Sequence, residues 1–122
     1  MNIKQRSVDG VEFLEPEGKI TMGEGDLAVR ARIDDLLKQG KNRIVLDMAN
    51  VPYIDSAGLG QIIRCYTTTR KSGGEMKLLN PNKKIVDLLA VTKLVSVFDW
   101  YDSEEKVLQS FAAGTRSRPG KP

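Results

Sequence analysis

The sequence contains no histidine and only one cysteine, Cys65, among its 122 residues. Without histidine, the chain cannot build a Ser-His catalytic pair or a histidine-ligated zinc site. A single cysteine cannot form an intramolecular disulfide. Any metal site would need oxygen ligands alone, and nothing in the sequence places the candidate carboxylates Asp47, Asp55 and Asp99 together. We therefore predict no metal site, no cofactor and no catalytic residue.

Long apolar runs are also absent. No stretch approaches the roughly 20 apolar residues of a membrane-spanning helix, and the first ten residues, MNIKQRSVDG, lack the apolar core of a signal peptide. The composition, 40% apolar and 29% charged, is typical of an ordinary globular chain. We expect a cytoplasmic protein without membrane association, consisting of one domain over residues 1–113.

The excess of positive charge is small and lies at one end. The net charge is +3, and the last nine residues, 114–122, contain three of the 19 basic residues and no acidic one. The rest of the chain is therefore balanced against its 16 acidic residues, whereas a nucleic-acid-binding fold would carry a basic face. We predict no direct contact with nucleic acid and a disordered basic tail over residues 114–122.

The periodicity of apolar residues predicts alternating strands and helices. Asp9-Gly10 is a hairpin signal, Asn82 and Ser103 are candidate helix caps, and Gly40 and Gly73-Gly74 are stop signals. Alternation of this kind predicts an α/β fold, a mixed β-sheet of four to five strands with about four helices packed on it. The predicted strands cover residues 3–8, 11–15, 44–48, 75–80 and 95–101, and the predicted helices cover 24–39, 57–71, 82–91 and 103–113.

Two of these helices have an apolar stripe that should face the sheet. In the first helix the predicted stripe consists of Leu27, Val29, Ile33, Leu36 and Leu37, and in the second of Leu59, Ile62, Ile63 and Tyr66. We interpret Cys65, which lies within the second helix, as a packing residue and not as a redox sensor.

The segment 55-DSAGLG-60 stands where a strand is followed by a helix. Its simplest interpretation is a helix cap, with Ser56 at the N-cap position. A cap does not explain Gly58 and Gly60, because each glycine in a helix costs about 1 kcal/mol relative to alanine. We therefore hypothesise that these glycines allow the backbone of another molecule to approach the Ser56 hydroxyl closely.

An exposed serine at the start of a helix is compatible with three chemical functions. A hydrolase nucleophile would need the pattern G-x-S-x-G and a base, but Ile54 stands two residues before Ser56 and no histidine exists. A phosphate-binding loop would need a Lys-Ser or Lys-Thr pair after the glycines, or a third glycine. The remaining interpretation is a phosphate acceptor, since a helix N-terminus tolerates a phosphoserine.

The runs 44-IVLDMANVPYIDSAGLGQII-63 and 72-SGGEMKLLNP-81 resemble the STAS domain of bacterial anti-anti-sigma factors, also called anti-sigma factor antagonists. The resemblance extends over about residues 8–111. It implies a non-enzymatic regulator that binds an anti-sigma factor when unphosphorylated and thereby releases a sigma factor. It further implies that this anti-sigma factor is a serine kinase of the GHKL type, which phosphorylates Ser56, and that a PP2C-type phosphatase reverses the modification.

The resemblance also assigns residues. Ser56 is the implied phosphorylation site, and Thr21 stands where the family commonly has an aspartate. A STAS-like scaffold or sensor subunit, which binds a partner or a small ligand without a kinase cycle, is the alternative, and the sequence leaves open whether the chain forms a weak homodimer. The implied partner-binding residues are Asp55, Ser56, Ala57, Gly58, Leu59, Gly60 and Thr21.

Overall fold

The computed structural model describes residues 1–94 and 97–112. The predicted tail, 114–122, and the predicted last residue of the domain, 113, lie outside the described residues. Strands and helices alternate after an initial hairpin, as predicted. The elements are β1 (Asn2–Val8), β2 (Val11–Glu17), α1 (Glu24–Lys38), β3 (Arg43–Asp47), α2 (Ser56–Lys71), β4 (Glu75–Leu79), α3 (Lys83–Val91), β5 (Trp100–Tyr101) and α4 (Glu104–Ala112).

The five strands form one mixed sheet in the order β1-β2-β3-β4-β5. β1 and β2 are antiparallel, and every later neighbour pair is parallel. Since all the parallel connections pass through a helix, the loops after β2 and β3 meet at the same edge of the sheet. The candidate site lies at this edge.

Both faces of the sheet are covered, which explains why the central strands are continuous apolar runs. The larger core lies between one face and α1, α2 and α3, and it includes Leu14, Ile44 and Leu46. The smaller core lies under α4 on the other face and includes Phe13 and Val45. Neighbouring residues of one strand therefore point into different cores, and β2 and β3 are buried on both sides.

Three local signals read from the sequence, the hairpin at Asp9-Gly10 and the caps at Asn82 and Ser103, are confirmed. Asp9 and Gly10 both have positive φ, 51° and 79°, as a tight hairpin turn requires. The Asn82 side chain accepts a hydrogen bond from the Ile85 amide at 2.9 Å. Ser103 accepts one from the Lys106 amide at 3.2 Å and so caps α4.

The prediction of a last strand over 95–101 is wrong at residues 97–99. Only Trp100 and Tyr101 form β5, and residues 95 and 96 lie outside the described residues. The amides of Val97 and Phe98 donate to the Leu94 carbonyl at 2.9 and 3.2 Å. Because these amides close a local turn after α3, they are not available to a sheet ladder.

Leu27 was wrongly placed in the apolar stripe of α1. Its side chain is 54% exposed, whereas Val29 and Ile33 are fully buried. Leu27 precedes Val29 by two residues, which is about 200° around a helix, so the two side chains point to opposite sides.

Candidate functional site

The loop between β3 and α2 is joined to the loop between β2 and α1 by backbone hydrogen bonds. Ile20 and Ile54 form an isolated parallel bridge. The Ile20 amide donates to the Tyr53 carbonyl at 3.1 Å, and the Asp55 amide donates to the Ile20 carbonyl at 3.4 Å. This bridge fixes the start of α2 against the segment that contains Thr21.

The N-cap of α2 is Asp55, so the prediction that Ser56 occupies this position is wrong. One carboxylate oxygen of Asp55 accepts from the Gly58 amide at 2.7 Å, and the other accepts from the Met22 amide at 3.0 Å. These amides hold the pKa of the Asp55 carboxyl below its usual value. Asp55 therefore caps the helix and also ties it to the loop before α1.

Ser56 is the first residue of α2 and is exposed. Its hydroxyl has no hydrogen-bond partner within residues 1–94 and 97–112. Since Asp55 supplies the cap, the hydroxyl has no structural role there and faces solvent. It can accept a group from another molecule without breaking a contact of the fold.

The two glycines of the motif have different surroundings. A Cβ atom at Gly58 would lie 1.9 Å from the Ile20 carbonyl oxygen, so the close approach at this position is made by the chain's own backbone. The hypothesis that Gly58 makes room for another molecule is therefore corrected. A Cβ at Gly60 would meet nothing within 4 Å, and Gly60 is exposed.

The predicted partner-binding residues fall into an exposed and a buried set. Ser56 and Gly60 are exposed and lie four residues apart, which places them on one face of α2. Leu59, like Gly58, is buried and packs in the larger core. The half-buried members are Asp55, Ala57 and Thr21.

An apolar groove of about 290 Å³ lies between the start of α2 and the helix α3. One side consists of Tyr53, Ile54, Asp55, Ser56 and Leu59, and the other of Lys84, Ile85, Leu88 and Thr92. Sequence analysis missed the α3 side. The spacing of Lys84, Leu88 and Thr92 could have indicated it, because residues four positions apart share one face of a helix. That face differs from the one that contains the buried Leu89.

Two exposed apolar residues, Met22 and Tyr53, lie near the start of α2. Met22, which is 78% exposed, follows Thr21 and donates its amide to Asp55. Tyr53, which is 48% exposed, lies at the rim of the groove. Exposed apolar groups beside a concave surface are characteristic of protein-binding sites.

Elsewhere in α2, Cys65 is buried, as expected for a packing residue. Burial raises the pKa of its thiol to about 12. A thiol of this kind is mostly uncharged at neutral pH and therefore poorly nucleophilic. The exposed hydroxyls of α2, that of Ser56 among them, are therefore more accessible to a modifying protein than this thiol.

Comparison with known proteins gives the family of the chain. The family model for the STAS domain matches residues 2–107. A Thermotoga maritima protein, provisionally named an anti-sigma factor antagonist, is 30% identical over 84% of this chain and 90% of its own length. The anti-sigma F factor antagonist of Paenibacillus polymyxa is 28% identical over 88% of this chain and 92% of its own.

The fold agrees with solved structures of similar proteins. A crystal structure of a Thermotoga maritima protein that is provisionally described as an anti-sigma factor antagonist superposes with a TM-score of 0.83 at 28% identity, covering 88% of this chain and 92% of that one. The anti-sigma factor antagonist SpoIIAA in its unphosphorylated form gives 0.70 at 17% identity, covering 93% and 99%. The Bacillus protein SpoIIAA in its phosphorylated form gives 0.69 at 18% identity, covering 88% and 98%.

No helix in the described ranges 1–94 and 97–112 is long and apolar enough to cross a membrane. The family model covers most of the chain, and the motif at Ser56 stands at the start of α2, as the sequence predicts. The chain belongs to the STAS domain family.

Proposed function

We propose that this protein is an anti-sigma factor antagonist that is switched off by phosphorylation of Ser56. The observation that carries the proposal is that the Ser56 hydroxyl is exposed and has no hydrogen-bond partner among the described residues, while Asp55 caps the helix. The similar proteins named anti-sigma factor antagonists support the class. SpoIIAA, which has been solved in unphosphorylated and phosphorylated forms, supports the mode of control.

The geometry suits a switch because the modification changes the surface and spares the fold. A phosphate on Ser56 would break no hydrogen bond of the described residues, and the amides of the first helical turn favour a negative charge. The same phosphate would bring a charge of about −1.5 to −2 into the rim of an apolar groove. A partner that covered this groove would bury that charge.

The proposed binding surface consists of the exposed groups around Ser56. Gly60 leaves the face of α2 without a side chain, and Met22 and Tyr53 provide exposed apolar area near the start of the helix. Burying an unpaired charge in such an interface costs roughly 3–5 kcal/mol. That cost corresponds to a loss of at least a hundredfold in affinity.

The proposed partners follow from the family resemblance. They are an anti-sigma factor that is also a GHKL-type serine kinase, and a PP2C-type serine phosphatase. The chain itself would act without enzymatic activity, in the cytoplasm, as a single STAS domain over residues 1–113 followed by a basic tail over 114–122.

Phosphorylation by the cognate kinase tests the proposal. The full chain is incubated with the kinase and ATP, and the phosphate is mapped by mass spectrometry. We expect modification of Ser56, its loss in Ser56→Ala, and normal modification in Thr67→Ala, a control for an exposed hydroxyl on the same helix. Full phosphorylation of Ser56→Ala at another position would refute the assignment of Ser56.

A scaffold or sensor subunit is the second candidate function, and the groove of about 290 Å³ favours it. That volume is close to the lower limit of small-molecule pockets. The two functions differ in how the partner responds to charge at position 56. Ser56→Asp should bind the anti-sigma factor at least a hundredfold more weakly than Ser56→Ala if the switch operates. Equal affinities would favour the scaffold.

A further inference from the structure

Lys84 is a cation on the far side of the groove from Ser56. Both residues line the same cavity, Ser56 from the first turn of α2 and Lys84 from the first turn of α3. Its neighbour Lys83 is paired with Asp87 at 3.1 Å. The Lys84 ammonium has no hydrogen-bond or ion-pair partner in the described part of the chain. It is therefore available to an anion that enters the groove.

The backbone that carries Lys84 is fixed relative to the loop before Ser56. The Asn82 side-chain nitrogen donates to the Pro52 carbonyl at 3.1 Å, while its oxygen caps α3. Ile85, the residue after Lys84, is buried in the larger core. Because α3 is anchored on both sides of Lys84, this side chain extends from a rigid support toward the groove.

Asp55 cannot bind a phosphate on its neighbour. Its carboxylate is negative, and both oxygens are occupied by the amides of Gly58 and Met22. A phosphoserine at position 56 would therefore be repelled by Asp55, which lies on the same side of the groove. It would be attracted by Lys84, which lies on the opposite side. The phosphate group should therefore turn toward α3.

We propose that Lys84 is the phosphate-binding residue of the modified state and forms an ion pair with phosphoserine 56 across the groove. This inference rests on the proposed function, because it concerns the phosphorylated form. The ion pair holds the phosphate over Leu59 and Leu88, so that the phosphate covers the apolar lining of the groove. Phosphorylation then changes the binding surface in two ways: the phosphate covers the groove, and it leaves a net negative charge that a single lysine does not neutralise.

The experiment measures the second pKa of the phosphate. Phosphoserine is incorporated at position 56 of the full chain by genetic code expansion, and the phosphorus resonance is followed by NMR from pH 4 to 8. A cation within about 5 Å favours the dianion, so we expect the pKa to be about half a unit lower with Lys84 than in Lys84→Gln. Circular dichroism verifies that each variant is folded.

Matched variants separate a specific pair from a general effect of charge. Lys83→Gln removes the same charge one residue away and should leave the phosphate pKa unchanged, because Lys83 is paired with Asp87. Lys84→Arg keeps the positive charge and should therefore retain most of the decrease in the phosphate pKa. The difference between the chain with Lys84 and Lys84→Gln should shrink at 1 M salt, where the screening length is about 3 Å.

Equal phosphate pKa values in the presence of Lys84 and in Lys84→Gln would overturn the inference, and so would an equal change in Lys83→Gln. The result does not depend on any kinase, since the phosphoserine is installed directly. A failure of the kinase to modify Ser56 would refute the proposed function and leave this measurement intact. A missing pKa shift would refute the role of Lys84 and leave the switch at Ser56 intact.

Discussion

The start of α2 contains two sets of residues: a floor, Asp55 and Gly58, which contacts the rest of the fold, and an exposed rim, Ser56 and Gly60. Each set contains one glycine, and the two glycines have different roles. Gly58 belongs to the floor, where the Ile20 carbonyl occupies the place of a side chain. Gly60 belongs to the rim, where an added Cβ would have no atom of the described residues within 4 Å. The two glycines look equivalent in the sequence but have different constraints. Gly58 is required by the packing of the fold, whereas Gly60 affects only the surface.

The polar residues of the motif divide in the same way. Asp55 is part of the floor, since its carboxylate joins α2 to the loop before α1. Ser56 is part of the rim, and its hydroxyl makes no hydrogen bond to any residue that the structure describes. The fold depends on Asp55 and Gly58, whereas Ser56 and Gly60 belong to the exposed surface at which we propose that a partner binds. A site of this construction can be modified while its support stays unchanged.

The largest expected effect comes from adding one methyl group to the floor. Gly58→Ala should lower the free energy of unfolding by about 3 kcal/mol, because a Cβ 1.9 Å from a backbone oxygen forces α2 away from Ile20. Gly60→Ala is the matched control, and should raise the free energy of unfolding by about 1 kcal/mol, since alanine is the better helix former. Urea unfolding measures both, and a similar change in the two variants would refute the distinction.

A smaller effect is expected from removing the charge of Asp55. Asn can still cap the helix, but it cannot accept from Gly58 and Met22 together, so Asp55→Asn should be less stable at neutral pH. The folded-state pKa of Asp55 is depressed, so its stabilising contribution is present above the unfolded pKa of about 3.9 and is lost as the pH falls through the folded value.

The measurement for Asp55 is the difference in unfolding free energy between the original chain and Asp55→Asn as a function of pH. This difference should be constant from pH 7 to about 5 and should narrow steadily below about pH 4. Asp87→Asn, at an exposed pair on α3, is the control for general acid effects. A difference that stays constant down to pH 2 would contradict the depressed pKa.

The sequence was sufficient for features whose causes are local. The alternation of strands and helices, the hairpin at Asp9-Gly10 and the caps at Asn82 and Ser103 all follow from residues within a few positions of one another. β5 was predicted too long, because the same apolar residues can pair in a sheet or close a turn on Leu94. Only the hydrogen bonds of the folded chain distinguish these outcomes.

The site was predictable in its position but not in the division of its roles. Asp55 and Ser56 are adjacent and are both good helix caps, so composition alone could not decide between them. The constraint on Gly58 comes from Ile20, which lies 38 residues earlier and leaves no signal near the motif. The contribution of α3 depends on the anchoring of Asn82 to Pro52, which is also a contact between distant segments.

The smallest expected effect is that of Ser56→Ala on stability. If Ser56 were the cap, its replacement by alanine would cost about 1 kcal/mol. Because Asp55 holds that position and the Ser56 hydroxyl has no partner in the described residues, the free energy of unfolding should change by less than about 0.5 kcal/mol. Ser103→Ala, which removes the cap of α4, should cost the full amount in the same urea experiment. A decrease in the free energy of unfolding for Ser56→Ala as large as that for Ser103→Ala would show that Ser56 stabilises the helix. The residue of the proposed switch would then belong to the floor and not to the rim.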